Sequence, residues 1–177
     1  MIYLELLRIF IRRKLFMLMP MSVRLRWLRE DGVKIGSNCI VHTPYFSVEP
    51  YLIELGDRVL VSAGTEFITH DAAGHLFPEV QDFGLYGRIV VGSNTFFGIK
   101  CLVLPGARIG ANCVIGSGAV VRGVIPEGSV VMGNPAEVVM KTEMLKALML
   151  HSKGRMATAH LSIKEKREAL CKHFGIA

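Results

Sequence analysis

Long apolar runs, paired cysteines and zinc-type spacings are all missing from this chain of 177 residues. No stretch approaches the roughly eighteen uninterrupted apolar residues of a membrane span. The longest N-terminal run, Leu15 to Val23, is interrupted by Pro20 and Ser22 and follows Arg12, Arg13 and Lys14. It lacks the small-residue cleavage site of a secretory leader. The expectation is a cytoplasmic protein. The four cysteines form no CxxC or Cys/His pattern, which argues against a zinc or redox motif and for small buried thiols.

A basic main domain is lacking too. The net charge of +6 sits at the ends. Residues 1–30 hold seven basic and two acidic groups, residues 31–140 six and ten, and residues 141–177 eight and three. Nucleic-acid binders more often spread positive charge over the principal domain. This pattern argues against DNA or RNA and favours anionic ligands or surfaces near the termini.

What is present is a period of six. Leu55, Val61 and Phe67 share a phase that resumes at Val91, Phe97, Val103, Ile109, Ile115 and Val121. A small residue often follows: Gly56, Ser62, Gly92, Gly98, Gly110, Gly116. A helix needs spacings of three and four, and a strand needs two. Six therefore predicts short strands broken at regular corners. Three hexads make one triangular coil of about 18 residues in a parallel β-helix. Strands about 4.8 Å apart would build four to five coils into a prism roughly 20–25 Å tall. Ile35-Gly36 and Val41 repeat the pattern shifted by two, which places an insertion near Thr43 to Tyr51. No coil buries its face alone, so stability comes from stacking.

The ends read as helices: residues 1–30, Lys141 to His151 and Ser162 to His173 have helical spacing, with a loop at HSKGRMATAH. A helix at each open end would cover the prism edges. The basic N-terminal helix has two readings, a cap on the prism or neighbouring subunit, or an amphipathic segment on anionic lipid.

The runs IGANCVIGSGAVV and VIPEGSVVMGNPAEVV resemble the hexapeptide-repeat acyltransferases, nearest to the maltose, galactoside and nodulation-factor O-acetyltransferases and their polysaccharide-modifying relatives. The resemblance implies an all-β, left-handed parallel β-helix with flanking helices. The expected division is a helical cap over 1–30, the acyltransferase prism over 31–140 with an inserted loop at 70–90, and a helical extension over 141–177. It also implies a homotrimer with coenzyme A in a cleft between subunits.

The repeat fails between Phe67 and Val91, and long excursions from a regular scaffold tend to be functional. This one opens on Thr69-His70-Asp71. In the resembling family a histidine here is the catalytic base, so His70 is the expected catalytic residue. An imidazole with a reference pKa of about 6.5 suits removal of a hydroxyl proton during attack on a thioester. A corner N–H is the expected oxyanion donor. The resemblance places Gly98-Ile99 and Gly116-Ser117 beside the pantetheine of acetyl-CoA. Arg122 and Lys141 are the candidates for its phosphates, because Gly123 and Glu137 stand where relatives have basic residues. His42 falls near a substrate-contacting asparagine of relatives. Glu49, Tyr45 and Asp71 are the other acceptor-side candidates. No metal is expected.

The reading is thus an acetyl-CoA-dependent O-acetyltransferase of a sugar, in surface-polysaccharide or lipopolysaccharide assembly. The alternatives are N-acylation of a nucleotide-linked amino sugar, a γ-carbonic-anhydrase-like zinc enzyme using His70, His75 and His42, and a non-catalytic scaffold.

Overall fold

The structure is a computed structural model, and it describes residues 2–80 and 84–176; positions 81–83 of the expected loop lie outside them. The chain forms two compact units, residues 1–144 and 145–177.

The first unit opens with α1 (Ile2–Leu15), a single 3-10 turn at Phe16–Leu18, and α2 (Met21–Glu30). Pro20 stands before α2 with extended backbone, so the two helices are separated where a ring-locked φ cannot continue a helix. Phe16 and Leu28 are buried in the core that continues into the strands. α2 packs on the strands Lys34–Ile35 and Ile40–Val41.

From there the chain winds through three parallel faces. One face stacks Lys34–Ile35, Ile53–Leu55, Ile89–Val91, Arg108–Ile109 and Val124–Ile125. The second stacks Ile40–Val41, Leu60–Val61, Phe96–Phe97, Val114–Ile115 and Ser129–Met132. The third stacks Glu66–Phe67, Leu102–Val103 and Val120–Val121, with Phe46 bridged in parallel to Phe67. This is a parallel β-helix of five coils on its longest faces.

All nine residues of the hexad phase are buried, none above 3% exposure. Full burial of such side chains contributes about 1.5–3 kcal/mol each. The fifth positions Val59, Thr65, Thr95, Cys101, Ala107, Cys113 and Ala119 are buried beside them. Buried hydroxyls there are satisfied: Thr65 Oγ1 donates to the Gly98 carbonyl at 2.9 Å and accepts from Cys101 N–H at 3.2 Å. Cys39, Cys101 and Cys113 are buried free thiols, and burial pushes the Cys101 thiol up.

Two features depart from the regular period. The fifth coil continues at Ile125 and Val131, sixteen residues after Ile109 and Ile115 rather than eighteen. The Gly133-Asn134-Pro135-Ala136 element is then a turn, with a cis Asn134–Pro135 peptide. It sends Glu137–Lys141 back antiparallel along Ser129–Met132. Lys141 therefore ends a strand, and α3 (Thr142–Leu150) begins one residue later. The second unit contains α4 (Ile163–Phe174), opened by a capping box in which Ser162 and Glu165 exchange hydrogen bonds.

Candidate active site

The first two coils depart from the hexad at the same corner. Val41 to Phe46 is one residue short of a hexad, and Phe46 to Leu55 is three long, yet Phe46 still stacks on Phe67, with ring centroids 4.7 Å apart. Glu49 and His70 each follow their phenylalanine by three residues. Parallel stacking therefore carries both to one corner on adjacent coils. There His70 Nδ1 lies 2.9 Å from Glu49 Oε2. The same oxygen accepts from Thr69 Oγ1 at 2.6 Å and from Ser47 Oγ at 3.3 Å. Ser47 Oγ lies 2.6 Å from Thr69 Oγ1 and accepts the Thr69 N–H at 3.3 Å.

Burial alone would push the Glu49 carboxyl up. Hydrogen bonds from Thr69 and His70, the charge on a protonated His70, and the Ser47 hydroxyl outweigh it and hold the carboxyl below its ordinary value. Glu49 is thus ionised at neutral pH. A carboxylate only accepts, so Nδ1 carries the proton and Nε2 keeps its lone pair. Nε2 has no hydrogen-bond partner among the described residues, and the His70 side chain is 38% exposed while Glu49 is 15% exposed. The strand His70–Asp71 pairs antiparallel with Leu85–Tyr86, which sets His70 opposite Tyr86 with ring centroids 6.1 Å apart. One coil above, the corresponding position is Gly106, and no atom lies within 4 Å of where its Cβ would stand. A basic nitrogen faces an open corner, backed by a carboxylate.

The other candidates fall into separate groups. Asp71 is exposed and accepts the Ala73 N–H at 2.7 Å, a local turn bond. His42 Nδ1 is 3.2 Å from Arg24 Nη1, and Arg24 also donates to the Met17 and Met19 carbonyls. A guanidinium only donates, so His42 Nδ1 is the acceptor and only its other edge is free. Tyr45 is exposed. Gly98, Ile99 and Ser117 stack at a different corner, where Ser117 Oγ accepts Ile99 N–H at 3.3 Å and Ile99 carbonyl accepts Gly118 N–H at 2.8 Å. Arg122 is exposed on the His70 corner, two coils on, about 10 Å along the axis. Lys141 is exposed at the end of its strand.

A model of the family described as bacterial transferase hexapeptide (six repeats) matches residues 88–123. Protein CapG of Staphylococcus aureus is 35% identical over 170 residues, covering 92% of this chain and 96% of CapG. The chain belongs to the hexapeptide-repeat acyltransferases. A probable acetyltransferase of Mycobacterium tuberculosis is 33% identical over 142 residues, 78% of this chain but only 45% of that protein. Among solved structures, a galactoside acetyltransferase in complex with coenzyme A aligns with a TM-score of 0.55 at 20% identity, over 86% of this chain and 88% of that one. The hexapeptide acyltransferase prism is left-handed, as the sequence resemblance implied.

Within this acyltransferase, Ser47 and Thr69 join the candidate site through their hydrogen bonds around Glu49, and sequence reasoning did not single them out. The sequence places Glu49 on the acceptor side, and the structure brings its carboxylate to His70. The signal was the shared offset of three from Phe46 and Phe67, hidden because the five-residue step to Phe46 breaks the hexad. His75 is exposed. Among the described residues, no three His, Cys, Asp or Glu side chains cluster closely enough to hold a metal ion.

Proposed function

We propose that this acyltransferase is an acetyl-CoA-dependent O-acetyltransferase that modifies a sugar hydroxyl in surface-polysaccharide or lipopolysaccharide assembly at the cytoplasmic side. The observation that carries the reading is the Glu49–His70 pair, with Nε2 open at a prism corner. The similarity to a galactoside acetyltransferase in complex with coenzyme A supports both a sugar acceptor and this donor.

In this mechanism Nε2 takes the proton of the acceptor hydroxyl as the oxygen attacks the thioester carbonyl. Glu49 holds the ring and stabilises the imidazolium that forms. The tetrahedral oxyanion is met by a backbone N–H at a coil corner. Collapse forms the ester, expels the thiolate, and returns the proton from Nε2 to sulfur. Direct transfer needs no acyl-enzyme and no nucleophilic side chain.

The base and the pantetheine candidates lie on different edges of one prism. A trimer that sets one copy's His70 edge against the next copy's Gly98–Ile99–Ser117 edge would complete the site. Arg122 and Lys141 are assigned to the CoA phosphates in that cleft, and His42 and Asp71 to the acceptor side. The catalytic region is assigned to residues 31–140, between the two helical ends. The test is CoA release from acetyl-CoA across a panel of sugars and glycan precursors. A sugar-dependent rate lost in His70→Ala supports the reading. Transfer confined to amines, or turnover indifferent to His70, overturns it.

A further inference from the structure

The polarity of α1 and its following turn is inverted with respect to the body they pack on. Phe16 is buried at 2% exposure, and Arg12 is held inward by Glu30 Oε2 at 2.6 Å and Asp31 Oδ1 at 2.9 Å. Arg8 reaches the same Asp31 at 3.3 Å. At 100° per residue these positions share one side of the helix. Leu7 and Phe10 lie on the opposite side, Ile11 on the flank between and Leu15 beside Arg8; the following turn adds Met17 and Leu18, and all six are exposed, Phe10 by 58% and Leu18 by 75%. An ordinary surface helix does the reverse: its apolar stripe faces the core and its charges face water. Six large exposed apolar side chains on one short segment form a patch that monomeric soluble proteins rarely leave in water.

The cations near the patch identify the occupant. Lys14 projects within it, its Nζ 5.6 Å from the Phe10 ring. Arg13 has only a 3.5 Å contact to the Ser47 carbonyl, and Arg26 is 65% exposed and 3.8 Å from Glu30. A long basic side chain inside an apolar stripe can extend to a phosphate layer while its stem stays in hydrocarbon. No helix of the described residues is long and apolar enough to cross a membrane, so the segment would lie along a surface rather than span it.

We infer that α1 and the Phe16–Leu18 turn dock this enzyme on an anionic lipid bilayer, with the apolar patch in the headgroup–acyl boundary and Arg13, Lys14 and Arg26 on lipid phosphates. Charge complementarity selects the bilayer over a second copy, because self-pairing of this surface would bring Arg13 and Lys14, neither in an ion pair among the described residues, against the same two cations of the other copy. Docking also orients a ligand site. A cavity of about 460 Å³ lies beneath α1, lined by Arg8, Arg12, Arg13, Trp27, Ser47 and Tyr51 among others. Its Ser47 belongs to the Glu49–His70 network. A glycan anchored to lipid would approach the base from the membrane side. That last step rests on the sugar-acceptor reading above; bilayer binding does not.

The experiment is co-sedimentation of the full chain with phosphatidylcholine vesicles, with and without phosphatidylglycerol, in the absence of acetyl-CoA and acceptor. Binding is expected only with the anionic lipid, and is expected to fall at least tenfold between about 0.1 M and 1 M salt, where screening shortens from about 10 Å to 3 Å. A Phe10→Asp/Leu18→Asp variant is expected to bind at least tenfold more weakly, with unchanged melting temperature and unchanged CoA release with a water-soluble sugar. Lys14→Glu is expected to weaken binding severalfold. Wild-type chain that ignores anionic vesicles overturns the inference, as does a variant that still binds them. A wild type forming a larger assembly than the variant by light scattering also overturns it, since a second copy would then occupy the patch. Vesicle binding without sugar acetylation would sink the proposed function and leave the docking intact.

Discussion

Replacing Glu49 with glutamine isolates what the carboxylate does for His70. The amide oxygen can stay where Oε2 is, because Thr69 and Ser47 both donate to that position, so His70 Nδ1 keeps an acceptor and loses only the charge. At a charge separation of about 4 Å and an effective dielectric of about 20, an imidazolium–carboxylate pair is worth about 4 kcal/mol. His70 is 38% exposed, so solvent screening cuts this to about 1.5–2 kcal/mol. Each 1.36 kcal/mol is tenfold in rate, which predicts a loss of about 10–30-fold in kcat. The KM for acetyl-CoA is expected to stay within twofold, because Glu49 meets the ring and not the donor. Glu49→Ala is expected to lose more, since it strips an acceptor from Thr69 Oγ1, Ser47 Oγ and His70 Nδ1 together. His70→Ala sets the floor, with a loss of about 10²–10⁴. The assay is thiol-reagent detection of CoA release at saturating acceptor. Glu49→Gln within twofold of wild type, beside a His70→Ala that has lost activity, would refute the reasoning.

Three further outcomes follow from the same structure. Because the folded Glu49 carboxyl lies below its unfolded value, its stabilisation is present above that unfolded value, about 4.3, and is lost as pH falls through the folded one; in urea unfolding, the stability gap between wild type and Glu49→Gln is expected to shrink as pH falls below about 4. Phe97, fully buried and edge-on to Phe67 at 5.6 Å, is expected to cost about 3–5 kcal/mol when cut to alanine, read by the same unfolding. A Cβ on Gly98 would stand 2.5 Å from the Ser117 backbone nitrogen, so Gly98→Ala must push adjacent coils apart and is expected to lower stability by about 1–3 kcal/mol, seen as a lower melting temperature.

The regular portion of this protein was legible because stacking imposes a spacing that the sequence must repeat. Every interior residue in the phase from Leu55 to Val121 landed in the core, since one large side chain per face is the only filling a triangular coil accepts. The end of the prism was less legible. The step from Ile109 to Ile125 omits two residues, and the antiparallel return of Glu137–Lys141 pairs with a strand rather than obeying a period. His70 could be named from the family motif, but its partner could not. Finding Glu49 required knowing that Phe46 stacks on Phe67, a pairing at a sequence separation of 21 in a fold whose regular coils repeat at 18. The chemistry stands where the period breaks, and for a physical reason. Corners that keep the hexad place N–H and C=O groups in the ladder and small side chains against the next coil, as at Gly98 over Ser117. Only extra residues at a corner free a carboxylate and an imidazole from that duty. Two extra lengths of chain at the same corner of successive coils, after Phe46 and after Phe67, are what allow the two groups to meet.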